Sequence, residues 1–159
     1  MLFGRRNAVR VGQDQAVGWP EREPPGGTNP GHRRRLLVES EDGAEAVAIW
    51  KLLERRGIDV SWCPGPDARR SSRCPLVHTG SCRLVDQADA VLCALDLEDP
   101  KQRAVLEALN TAHPEKPVVV AASSGAQRRW RRLLAERRTL RRGPQPMELV
   151  TSVEDALAG

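Results

Sequence analysis

Tyrosine is absent from the 159 residues and phenylalanine occurs once, while only three of the 25 basic residues, at positions 51, 101 and 116, are lysine. This is the bias of GC-rich coding, so the abundance of arginine does not by itself argue for a nucleic-acid partner. No internal repeat is present, which excludes a solenoid and leaves room for one domain of ordinary size plus a tail. No apolar run reaches the length of a signal peptide or the roughly 20 residues of a membrane span. The expectation is a cytoplasmic protein with no membrane contact, in a compartment where thiols stay reduced. No Gly-rich phosphate loop of Walker or dinucleotide type occurs. No Ser-His-Asp or Cys-His arrangement is forced, since His32 falls in the tail and His113 at a helix end. The net charge of +4 permits an anionic partner without demanding one.

What the sequence has is regular alternation. Residues 1–32 include GWPEREPPGGTNPGH, rich in Pro and Gly and poor in periodic apolar residues, and read as a disordered, basic tail. From residue 33 the pattern changes. The run Leu36 to Val38 predicts a first strand, and Asp42 with Glu45 three residues on predicts a capped helix that stops at Gly57. IDVSW, 58–62, is a second strand with β-branched residues alternating. ADAVLCAL, 88–95, is apolar almost throughout, as in strands buried on both faces. Asp99 and Pro100 open a helix with Val105, Ala108, Leu109 and Ala112 on one stripe, ended by His113-Pro114. PVVVAA, 117–122, is a fourth strand, followed by a predicted helix over 126–142 that Gly143-Pro144 terminates. MELV, 147–150, is expected as the fifth strand, and Ser152 with Asp155 opens a last helix. Strands alternating with helices predict βαβ units. The fold class is therefore α/β, a doubly wound five-stranded parallel sheet of order 2-1-3-4-5 covering 33–159, with function at the carboxyl ends of its strands.

Three of the four cysteines fall in CPGPDARRSSRCPLVHTGSC, residues 63–82, in the loop that leaves strand two. Cys63, Cys74, Cys82 and His78 could supply four N or S ligands to zinc, or thiolates to an iron–sulfur cluster. The C-x2-C knuckle of most structural zinc sites is missing, but the Pro/Gly turns can fold the loop back so that its thiols converge. A thiol/disulfide switch and an ordinary loop are the other readings, and Arg69, Arg70 and Arg73 would stabilise thiolates. Cys93, inside a strand, reads as a small core residue. Glu39, Glu41 and Asp96 should gather at the carboxyl edge, where oxygen ligands could hold a divalent cation. Asp42 and Asp99 are explained as helix caps. Arg128, Arg129, Arg131 and Arg132 on helix 126–142 could engage phosphates or an acidic partner, or form a solvated face.

The stretch RRLLVESEDGAEAVAIWKLLERRGIDV, residues 34–60, with ADAVLCALDLEDP and KPVVVAAS, resembles the receiver domain of bacterial response regulators over roughly 34–158. The resemblance implies a flavodoxin-like topology. It also implies an acidic pair after strand one, a phosphate-accepting aspartate ending strand three, a Thr or Ser ending strand four and a lysine after strand five. The acidic pair falls on Glu39 and Ser40, the acceptor on Ala94 with Asp96 two residues beyond, and strand four ends at Ala122 and Ser123. The last lysine is Lys116, so none follows strand five. The fold carries over and the phosphoryl chemistry does not. The expected function is a non-enzymatic regulatory or interaction module, a degenerate receiver-like domain with a metal- or redox-sensing loop and another protein as partner. The alternatives are a flavodoxin-like enzyme or small-ligand-binding domain acting at the same edge, and nucleic-acid binding through helix 126–142.

Overall fold

The structure, a computed structural model, describes residues 33–66 and 74–159. The tail 1–32 and the loop arginines 69, 70 and 73 lie outside the described residues. Five strands, β1 (Arg35–Glu39), β2 (Asp59–Cys63), β3 (Ala90–Cys93), β4 (Val118–Ala122) and β5 (Arg138–Arg141), pair in parallel in the order β2-β1-β3-β4-β5. This is the expected doubly wound order. Every residue of β1, β3 and β4 is buried, the consequence of helices covering both faces of a parallel sheet.

The helices divide between the faces. Ala46, Ile49 and Leu53 of α1 (Gly43–Glu54) and Leu149, Val150 and Val153 of α6 (Pro146–Ala158) pack on Leu36, Val38, Leu92 and Val119. On the other face, Val105, Leu106 and Leu109 of α4 (Pro100–Ala112) meet Leu37, Val91 and Val120. The single-turn helices α2 (Pro75–Thr79) and α3 (Arg83–Gln87) join them through Leu76 and Val85, and α5 (Ser124–Arg129) through Ala126. Period-two alternation along each strand sends neighbouring residues to opposite cores. The expected caps form: the Asp42 carboxylate accepts from the N–H groups of Ala44 and Glu45, and Asp99 from Lys101.

Two predicted elements change. The helix over 126–142 ends at Arg129, and the chain turns through 130–136 into β5. Helix propensity would continue through these arginines and leucines, but the free edge of β4 offers a ladder, and tertiary pairing outweighs propensity. Side chains fix the switch: Gln127 Nε2 donates to the carbonyls of Ala122 and Leu140, while Arg137 donates to Asn110 Oδ1 at 2.7 Å and the Lys116 carbonyl at 2.9 Å. MELV is consequently helix, not strand. Pro146 occupies the first turn of α6, and Leu149, Val150 and Val153 fall on its buried face.

Candidate functional site

The carboxyl ends of β1, β2 and β3 carry a lateral row. Glu39 closes β1, and its register partners are Cys63 on one side and Cys93 on the other. Partners in a parallel ladder face the same way, so all three side chains point toward the face covered by α2, α3 and α4. Cys74 and Cys82, the residues just before α2 and α3, make no side-chain capping bond and pack with Cys63 against the same cluster. The loop reaches this position through Gly65 (φ +73), where a Cβ would meet Leu95 at 2.9 Å.

The row is dry. Glu39 is 3% exposed and its Oε2 has no hydrogen-bond partner among the described residues. Burial pushes its carboxyl up to about 8, so that it is largely neutral near pH 7. Burial also raises Cys63 to about 12, and the charges of Glu39, Cys74 and Cys82 add to this. Cys74 is raised by burial, then by Glu39 and Cys82. Cys93 is raised by burial, then by Glu39. Cys63, Cys74, Cys82 and Cys93 all border one apolar cluster, and Glu39 stands between Cys63 and Cys93 in the sheet. His78 is exposed on the last turn of α2 and lies outside that cluster. Among the described residues, no three His, Cys, Asp or Glu side chains are arranged to hold a metal ion. All four cysteines are free.

The acidic edge divides. Glu39 belongs to the dry row, whereas Glu41 is exposed and Asp96 half-buried. Gln102, 5% exposed, joins the loops above them: its Nε2 donates to Glu41 Oε2 and its Oε1 accepts from the Asp96 N–H, both at 2.7 Å. The Asp96 carboxylate accepts from the Glu98 N–H at 3.0 Å, and Glu98 pairs with Arg129 at 2.7 Å. An amide bridge and turn bonds thus link the loops that carry these acids. Arg128, Arg129, Arg131 and Arg132 are all exposed, but they run through α5 and the following turn instead of along one helix.

At the positions where the resemblance implies phosphoryl chemistry, Ala94 is 1% exposed and its N–H donates to the Glu39 carbonyl at 2.8 Å. Ser40 is fully buried and its hydroxyl donates to Glu45 Oε2 at 2.7 Å. Ser123 caps α5. Because β5 is 138–141, the residue after strand five is Arg142, whose charge is felt at Cys93. A cation therefore stands there, as a guanidinium and not an ammonium. Gln102 and Arg142 are the site residues that sequence reasoning missed, and Glu39, expected at the carboxyl edge, is placed between two cysteines. The signal for its burial was the alternation: two residues beyond Leu37, it shares that residue's face.

The fold is that of response-regulator receiver domains. The receiver domain of a LuxO repressor protein from Vibrio parahaemolyticus superimposes with a TM-score of 0.58 at 17% identity, covering 79% of this chain and 91% of that one. A CheY-like receiver domain from Methanospirillum hungatei gives 0.59 at 16% identity, over 79% and 94%. A pilus assembly-related protein from Burkholderia pseudomallei gives 0.60 at 21% identity, over 84% and 96%. No family model matches the sequence, and neither does any curated protein.

Proposed function

We propose that the chain is a non-enzymatic regulatory module in which a receiver fold takes its signal through the thiol-bearing loop instead of through an aspartyl phosphate. The observation that carries this reading is the buried methyl of Ala94 at the acceptor position, beside a Ser40 hydroxyl already committed to Glu45. A methyl cannot accept a phosphoryl group, and Asp96 is engaged in the turn that Gln102 holds. Four free thiols fit a reducing, cytoplasmic setting. The partner is another protein with an acidic surface, met by the exposed side chains of Arg128, Arg131 and Arg132. In the candidate helices described, no segment is long and apolar enough to cross a membrane.

Incubation with acetyl phosphate and Mg2+ tests the reading by intact mass. The expected result is an unchanged mass. A hydroxylamine-labile phosphoryl adduct, on Asp96 or any other aspartate, overturns it.

A further inference from the structure

We infer that the free edge of β5 is the docking site for an extended acidic segment of another protein, which adds to the sheet as a further strand. This rests on the reading of an acidic partner and names the form in which that partner binds. β5 closes the order β2-β1-β3-β4-β5, so one of its sides faces β4 and the other faces no strand among the described residues. In a parallel ladder a residue directs its N–H and its C=O to the same side, and successive residues alternate between sides. The Arg142 N–H donates to the Ala122 carbonyl at 3.0 Å, and the Leu140 carbonyl, two residues earlier, shares Gln127 Nε2 with that same carbonyl between the two strands. Thr139 and Arg141 therefore turn their backbone donors and acceptors outward, and both residues are exposed. An unpaired edge of this kind is a template for the pairing of another chain.

The charge around the edge selects what can add. Residues 124–142 hold eight arginines and one acid, Glu136, whereas acids outnumber bases in the other described residues. The guanidinium groups of Arg128, Arg131, Arg132, Arg141 and Arg142 make no hydrogen bond or ion pair among the described residues. Side chains along β5 alternate between the faces of the sheet. Arg138 and Arg142 share the face of Leu140, which packs with α6, while Arg141 lies on the opposite face, with α5. An added strand also sends its side chains to both faces, and its carboxylates meet a guanidinium on each.

The same arginines make other occupants a poorer fit. Pairing of β5 with a second copy of itself sets arginine against arginine, a like-charge contact that destabilises the ladder. Nucleic acid lacks a platform here: Arg103 covers one face of the half-buried Trp130 at 4.0 Å, and 124–142 hold no other aromatic residue on which a base could stack. The six residues of α5 are too few to lie along a major groove.

Binding and amide hydrogen exchange of the reduced full-length protein with an acetylated, amidated octapeptide of alternating Glu and Thr provide the test. The expected result is binding that weakens with salt, accompanied by at least about tenfold slower exchange at the outward Thr139 and Arg141 amides. The same peptide N-methylated at every amide keeps its charge and loses its ladder donors, and it should bind at least about tenfold more weakly. Thr139→Pro removes an N–H that β4 does not use and should abolish the protection, with circular dichroism checking the fold. Exchanging both Arg141 and Arg142 for Ala should weaken binding and flatten its salt dependence. Equal binding of the methylated peptide, or binding with no protection in β5, overturns strand addition and leaves an acidic partner held by side chains alone. Absence of binding by either peptide overturns the inference together with the acidic-partner reading. Tighter binding of an oligothymidylate of the same length overturns it in favour of nucleic acid.

Discussion

Glu39 and Glu41 stand two residues apart and live in different solvents. Glu39 ends β1 in an apolar row with Cys63 and Cys93, its Oε2 unpaired among the described residues. Glu41 is at the surface, taking a hydrogen bond from Gln102. Its neighbours on the rim, Asp42, Asp96 and Asp99, are bound in helix caps and turns. The same carboxyl chemistry is structural on the outer rim and unsatisfied in the inner row. An acid that accepts from backbone N–H groups has its charge stabilised, whereas Glu39, buried beside thiols, has an oxygen with no partner among the described residues.

The sharpest way to break this comparison is through pH. The Glu39 carboxyl is raised from 4.5 to about 8 by burial, so between those values only the unfolded chain ionises it. The unfolded state then binds fewer protons, and stability present at low pH is lost as pH rises, levelling off above about 8. At about 1.4 kcal/mol per unit the total loss is roughly 5 kcal/mol. Denaturant unfolding of wild type and Glu39→Gln across this range should show that slope in the wild type and its absence in the variant. Parallel curves would place Glu39 in water with the rim.

Smaller effects sharpen the contrast. Cys93→Ser puts a more polar hydroxyl in place of a fully buried sulfur and should cost about 1–3 kcal/mol in the same assay. Asp42→Ala removes only a rim cap and should cost about 1 kcal/mol. Equal losses from the two would erase the distinction between row and rim. Smallest is the exposed pair Arg138 to Asp155, 2.6 Å apart. Arg138→Ala should change the unfolding midpoint little, by at most about 1 kcal/mol that disappears in high salt.

The central strands were legible because they are buried on both faces: Val118 to Ala122 needs no partner to be recognised. The fifth strand was not, since only Leu140 of its four residues is buried and its identity comes from pairing with β4. An arginine-rich segment with leucines at helical spacing carries no mark of that pairing. The site divides the same way. The loop cysteines could be singled out by type and turn chemistry and Glu39 by its place at the carboxyl edge, but the row that joins them could not. His78 lies between Cys74 and Cys82 in sequence, yet α2 leaves it exposed, while Glu39 arrives from another strand by register. Nearness along the chain predicted neither direction. Arg142 emerged only once β5 was set at 138–141.

At the carboxyl ends of β1 and β3, Glu39 and Cys93 are buried and stand apart from the acidic rim. Nuclear magnetic resonance titration of the Glu39 side-chain carboxyl carbon in the folded protein tests this directly. A midpoint near pH 8 is expected, and one near the ordinary 4.5 would place the Glu39 carboxyl in water with the rim.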